Sequence, residues 1–179
     1  SRFFDAYRID HVLGFFRIWE IPRTAKSGLL GSFSPNKPLS REEIIASGFE
    51  FDEEQHTVPY IDDALLKNHF PRKAKQIVEA FLDPQPGGTY RFKPEIANAN
   101  LLAYYIYERT PKLSAVMKES LLRIYGNVLF MRDLYEEGMF VPRILGSDTE
   151  AYEQLDFGDR IAYDHLYEDY FYNRHTMFW

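Results

Sequence analysis

Apolar and polar positions change period several times along the chain, and each change predicts an element. Phe3-Phe4-Asp5-Ala6-Tyr7-Arg8-Ile9-Asp10 alternates bulky and polar residues, which predicts a strand over 3–10 ending on a charged pair. Val12 to Ile21 reads as a loop or short helix after it, closed by Pro22. From Arg23 to Pro38 the abundance of Gly, Ser, Pro and Lys predicts a loop. Ser40-Arg41-Glu42-Glu43 has capping-box spacing: the Ser hydroxyl serves the Glu43 amide while the Glu43 carboxylate reaches back to the Ser40 amide. A short helix ended by Gly48 follows from it. Further helices are predicted over 60–69 and, after Pro71, over 72–82, where Ala74, Ile77, Val78, Phe81 and Leu82 are the apolar positions.

Asp83-Pro84-Gln85-Pro86-Gly87-Gly88 is a turn cluster and the clearest break in the chain. Beyond it, Tyr90-Arg91-Phe92 reads as extended and residues 97–108 as helical. Residues 111–131 carry Leu113, Val116, Met117, Leu121, Ile124, Val128 and Leu129 at helical spacing, which predicts one long helix. Gly138 to Arg143 reads as a short extended stretch. A last helix over about 158–178 points Ile161, Leu166, Tyr170, Phe171 and Phe178 toward a core. The chain is therefore expected to be mainly α with few short strands, without internal repeats.

Size and composition narrow the choice. A chain of 179 residues buries one core but is too short for a complete (β/α)8 barrel, which takes about 250 residues. A net charge of −6 argues against nucleic acid, whose binding rests on Lys and Arg neutralising phosphates. The absence of Cys removes disulfides and thiolate metal sites, in keeping with a cytosolic protein. No stretch reaches the roughly 18 apolar residues of a membrane helix. The five His, at 11, 56, 69, 165 and 175, lack metal-ligand spacing. Asp62-Asp63 and Glu53-Glu54 read as solvated faces or caps. The 13 Tyr and 15 Phe suit stacking on pyranose rings, although core packing is the ordinary use of aromatics. Tyr104, Tyr105 and Tyr107 with Tyr163, Tyr167, Tyr170 and Tyr172 are the candidates for a glucan-stacking surface, against the preferred reading as core and helix contacts.

The richest chemistry lies in Arg8-Ile9-Asp10-His11. Arg8 and Asp10 share a strand face, so the carboxylate is held ionised by a cation. Spacing alone favours an ordinary strand ion pair. The following Gly14-Phe15 and Trp19-Glu20-Ile21-Pro22 reverse that preference, because the whole run resembles the nucleophile strand of the amylomaltases, the 4-α-glucanotransferases of glycoside hydrolase family 77. Within the family the chain looks most like the cytosolic eukaryotic disproportionating type, whose catalytic domain is split by a long insertion after this strand. Thr24 to Phe33, Leu39-Ser40-Arg41-Glu42-Glu43, Pro59-Tyr60-Ile61, Phe140-Val141-Pro142-Arg143 and Tyr167 to Arg174 carry the looser remainder of the likeness.

The resemblance implies a fragment of a (β/α)8 barrel. Residues 1–23 would be a barrel strand and catalytic-face loop, 24–157 a mainly helical insertion, and 158–179 a return to the barrel as a helix. It implies retaining transfer of α-1,4-linked glucosyl or maltosyl units between maltodextrins and glucans, without cofactor or metal. Asp10 would be the nucleophile, Arg8 its orienting partner, and His11 a ligand of sugar hydroxyls or of the carboxylate. Trp19 would stack on sugar or serve as a packing anchor. Glu20 is not named the acid/base, because the family carries that Glu in a Glu-Asp-Leu-Gly setting absent from these residues; its Thr-His-Asp-Asn setting is absent too. The fragment is thus expected to be an internal piece, inert alone, with the remainder of its own barrel as partner and no nucleic acid or membrane. Two other readings stay open: a non-catalytic helical binding or scaffold module, and an α-glucan hydrolase of the same clan.

Overall fold

The computed structural model describes residues 17–110 and 112–175. The strand expected over 3–10 and the end of the helix expected to reach 178 lie outside the described residues. Strand β1 (Ile18–Glu20) pairs antiparallel with β2 (Ser32–Ser34), Trp19 opposite Phe33. These strands correct the loop expected over 23–38 and the loop or helix expected to run to Ile21. Each is only three residues long, too short to show an alternation, and what holds the pair is a cross-strand aromatic contact.

Strand β3 (Leu39–Ser40) leads into α1 (Arg41–Ala46), and the capping box is present: Ser40 Oγ accepts from the Glu43 amide at 3.2 Å, and Glu43 Oε2 from the Ser40 amide at 2.9 Å. Gly48, at φ +93°, takes the chain out of the helix. Helices α2 (Glu53–His56), α3 (Asp63–His69) and α4 (Ala74–Phe81) follow. The helix expected from residue 60 begins at 63, because the Asp62 carboxylate caps it by accepting from the Leu65 amide at 2.7 Å. Strands β4 (Leu82–Gln85) and β5 (Thr89–Phe92) form a hairpin with Leu82 opposite Phe92. The turn cluster at 83–88 is thus a hairpin arm and tip, not a break.

Helix α5 (Ala99–Tyr104) runs on to Arg109 in a wider π turn. The single helix expected over 111–131 resolves into α6 (Ala115–Tyr125) and a strand, β6 (Phe130–Arg132). Ser114 starts α6 by accepting from the Met117 amide at 3.3 Å, and Gly126 ends it. Leu121 and Ile124 face inward, and Val116, about 140° around the helix from Leu121, is 71 % exposed. Strand β7 (Met139–Pro142), α7 (Glu150–Glu153) and α8 (Phe157–Glu168), extended by a π turn over Asp169–Asn173, complete the described chain. In α8, Leu166 is buried as expected, whereas Ile161 is exposed.

Two apolar clusters hold these elements. The sheet β3-β7-β6 packs on α8 through Phe49, Phe130, Phe140 and Tyr163. The helical half buries Ile61, Leu66, Phe70, Ile77, Phe81, Leu102 and Leu121. Asn127, 2 % exposed, ties two segments of the first cluster together: its amide donates to Tyr60 O at 3.1 Å, and its Oδ1 accepts from the Ala151 amide at 3.0 Å. The buried residues of both clusters lie between Leu39 and Tyr170. The chain closes on itself just outside them: Arg174 Nε donates to Lys37 O at 2.7 Å, and His175 Nε2 accepts from the Lys37 amide at 3.0 Å.

Candidate functional site

Arg8, Asp10 and His11 lie outside the described residues. The site is approached from the tail of the same motif, residues 17–22. The Arg17 guanidinium lies over the Phe33 ring at 3.9 Å from its centroid. Its Nε and Nη2 are buried with no hydrogen-bond partner among the described residues, and this burial pulls its pKa below the ordinary arginine value. A desolvated cation with free N–H groups is an anion-seeking arrangement.

Trp19 is fixed by its own hairpin. Its ring meets Phe33 edge-on at 4.9 Å and 81°, and its Nε1–H donates to Gly28 O at 2.9 Å. Gly31 is required there by space, since a Cβ would stand 2.5 Å from the indole nitrogen and 2.6 Å from Glu20 O. The indole thus has a packing role in place, with its donor already used. Glu20 Oε2 accepts from the Tyr135 hydroxyl at 2.9 Å, on the loop between β6 and β7, and this bond and charge raise the tyrosine's pKa. The Asn100 amide likewise donates to Arg23 O. The motif's tail is therefore held at two points, by the β6–β7 loop and by α5.

Of the described histidines, His165 is exposed on α8, and the other three have structural partners. A backbone amide can only donate, so His175 Nε2, which takes the Lys37 N–H, is unprotonated and Nδ1–H donates to Tyr170 O at 2.8 Å. Burial lowers its pKa, with the charges of Arg17, Arg174 and Lys37 acting the same way. His56 accepts from the Asp52 amide at 3.0 Å between the rings of Phe49 and Phe51, and burial lowers its pKa too. His69 pairs with Glu150 at 3.3 Å. Among the described residues no three or more His, Cys, Asp or Glu converge as metal ligands, and no helix is long and apolar enough to cross a membrane.

The tyrosines considered for a stacking surface separate. Tyr163 and Tyr170 are core residues of the first cluster, Tyr105 packs on the second, and Tyr104, Tyr107 and Tyr172 are exposed. Glu53 and Glu54 pair with Arg132 and Arg91, and Asp62 and Asp63 accept from Tyr60 and Tyr90. Those two tyrosines, together with Arg91, line a cleft that sequence patterning did not mark. The signals were Pro59-Tyr60-Ile61 and the alternation Tyr90-Arg91-Phe92, neither of which shows that the two segments meet.

A family model described as 4-alpha-glucanotransferase, glycoside hydrolase family 77, matches residues 1–179. Among curated proteins the chain is 32% identical over 184 residues to 4-alpha-glucanotransferase DPE2 of Oryza sativa subsp. japonica. That match covers 100% of this chain and 19% of the relative, so the chain spans about a fifth of the protein it resembles. No solved structure matches it.

Proposed function

The chain belongs to the 4-alpha-glucanotransferase family, glycoside hydrolase family 77, and from that premise we propose that it is part of the catalytic domain of an enzyme moving α-1,4-linked glucosyl or maltosyl units between maltodextrins and larger glucans. The observation that carries this is Arg8-Ile9-Asp10-His11 with Trp19-Glu20-Ile21-Pro22 inside a family match that runs the full length of the chain. Residues 3–10 would be a strand of a (β/α)8 barrel, with Asp10 where the strand opens on the substrate face. The excursion that follows would stand beside the sugar cleft, since loops after barrel strands open on that side. A cytosolic location and freedom from cofactors accompany the reading.

Retaining transfer uses two carboxyl groups about 5–5.5 Å apart. The Asp10 carboxylate attacks the anomeric carbon as a carboxylic acid gives its proton to the departing glycosidic oxygen, leaving a glycosyl ester on Asp10. The resulting carboxylate then takes the proton from an acceptor sugar hydroxyl, whose oxygen displaces Asp10 and restores the original configuration. Arg8 holds Asp10 ionised and oriented, and His11 bonds sugar hydroxyls or the carboxylate. The second carboxyl group comes from outside these residues, because the Glu-Asp-Leu-Gly setting does not occur among them. Trp19, with its N–H spent on Gly28 O, serves as the anchor of the motif's loop.

The test is transfer from maltose to glycogen by the full-length protein beside Asp10→Asn. Loss of the nucleophile is expected to lower the rate on the order of 10³-fold or more, with the fold retained by circular dichroism. Unchanged turnover in the variant would favour a binding module, and free glucose without transfer product a hydrolase.

A further inference from the structure

We propose that the cleft between Tyr60 and Tyr90 is a binding site for a segment of α-glucan chain, an assignment that takes its ligand class from the transferase reading above. The cleft is about 370 Å³, toward the small end of small-molecule sites, which run ~300–1,000 Å³. It lies where the two apolar clusters meet, with Tyr60 packing on one and Tyr90 on the other.

Its walls are fixed in advance. Tyr60 is held on both sides of its backbone, its N–H donating to Asn127 O at 3.4 Å and its O accepting from the Asn127 amide. Ile61 O accepts from the Tyr90 amide at 2.9 Å, and Asp62 bridges to Thr89. The two rings are oriented by their hydroxyls, Tyr60 donating to Asp62 Oδ2 at 3.1 Å and Tyr90 to Asp63 Oδ1 at 2.8 Å. A site ordered before binding loses less entropy when it binds.

The chemistry selects a neutral polyol. Each tyrosine hydroxyl spends its proton on an aspartate and leaves its oxygen lone pairs to accept from a ligand. Gln55 supplies an amide donor to the same wall. Arg91 lies there too, neutralised by Glu54 at 2.6 Å, and with Asp52 beside them the lining is not one for an anion. A pyranose ring offers what such a wall takes: apolar C–H faces for the two aromatic rings, and hydroxyls that both donate and accept. Val58 and Pro59 extend the apolar side.

The experiment is amide hydrogen exchange of the full-length protein with and without maltoheptaose, read in peptides covering 52–62 and 88–92. We expect slowed exchange in both, with Arg91→Ala and Tyr90→Ala each raising the maltoheptaose concentration for half-protection at least about fivefold, a tenfold change being about 1.4 kcal/mol. Arg91 is half exposed, so its variant decides the question if Tyr90→Ala fails to fold. No protection in these peptides, or the same half-protection in Arg91→Ala as in the unaltered protein, overturns the site. Protection here without maltose-to-glycogen transfer would keep the glucan site and count against the transferase reading; transfer without protection would do the reverse.

Discussion

Tyr163 and Gly146 show how much one position can demand of another. Tyr163 is 1 % exposed, its hydroxyl donates to Leu129 O at 3.2 Å, and burial raises its pKa far above the ordinary value, so it stays a neutral donor. A Cβ on Gly146 would stand 1.9 Å from that hydroxyl and 2.9 Å from the ring carbon behind it. Gly146→Ala is therefore expected to cost about 1–3 kcal/mol by overpacking, measured by urea unfolding. Tyr163→Phe in the same chain should recover part of that loss and not all, because the ring carbon remains too close. Additive losses in the double mutant would show that the two do not meet. The sequence offered Tyr163 as a core or helix contact, and the structure buries it so, but nothing in the sequence pairs it with Gly146.

At the level of elements, what the sequence disclosed was whatever is encoded within a few residues. The box at Ser40 and Glu43, the stop at Gly48 and the stripe of α4 all rest on neighbours three or four apart, and all were readable. Ser40→Ala is expected to cost about 1 kcal/mol. Glu43→Ala should cost more, because the same carboxylate accepts from Arg174 Nη2 at 2.9 Å; thermal unfolding of both variants checks the order. What stayed hidden depends on distant partners. Val128 to Met131 continues the apolar spacing of α6, yet Gly126 ends the helix and β7 claims Phe130–Arg132 as a strand. Trp19 finds Phe33 only after the chain turns. The candidate site divides the same way: its motif was legible from one run of residues, and the Tyr60–Tyr90 cleft was not, because it joins segments about thirty residues apart.

For the molecule as a whole, two buried neutral histidines set an acid limit. Unfolded, His56 and His175 take up protons near their ordinary value of 6.5; folded, burial lowers both. Between those values the unfolded chain binds more protons, so stability falls with falling pH. The contribution is complete above about pH 6.5 and is lost progressively below it. Melting temperatures should accordingly drop from pH 7.5 to 5.5, with a shallower slope in His56→Asn and His175→Gln, which keep an acceptor and remove the titration. An unchanged slope in both would place the acid sensitivity elsewhere. His175 also belongs to the clasp at Lys37 and Arg174, and that clasp bears on how the body yields to force. Both cores lie between the residues it joins. A tension drawing residues 37 and 174 apart would therefore load these hydrogen bonds before it reached either core, and the clasp would be the first contact to part.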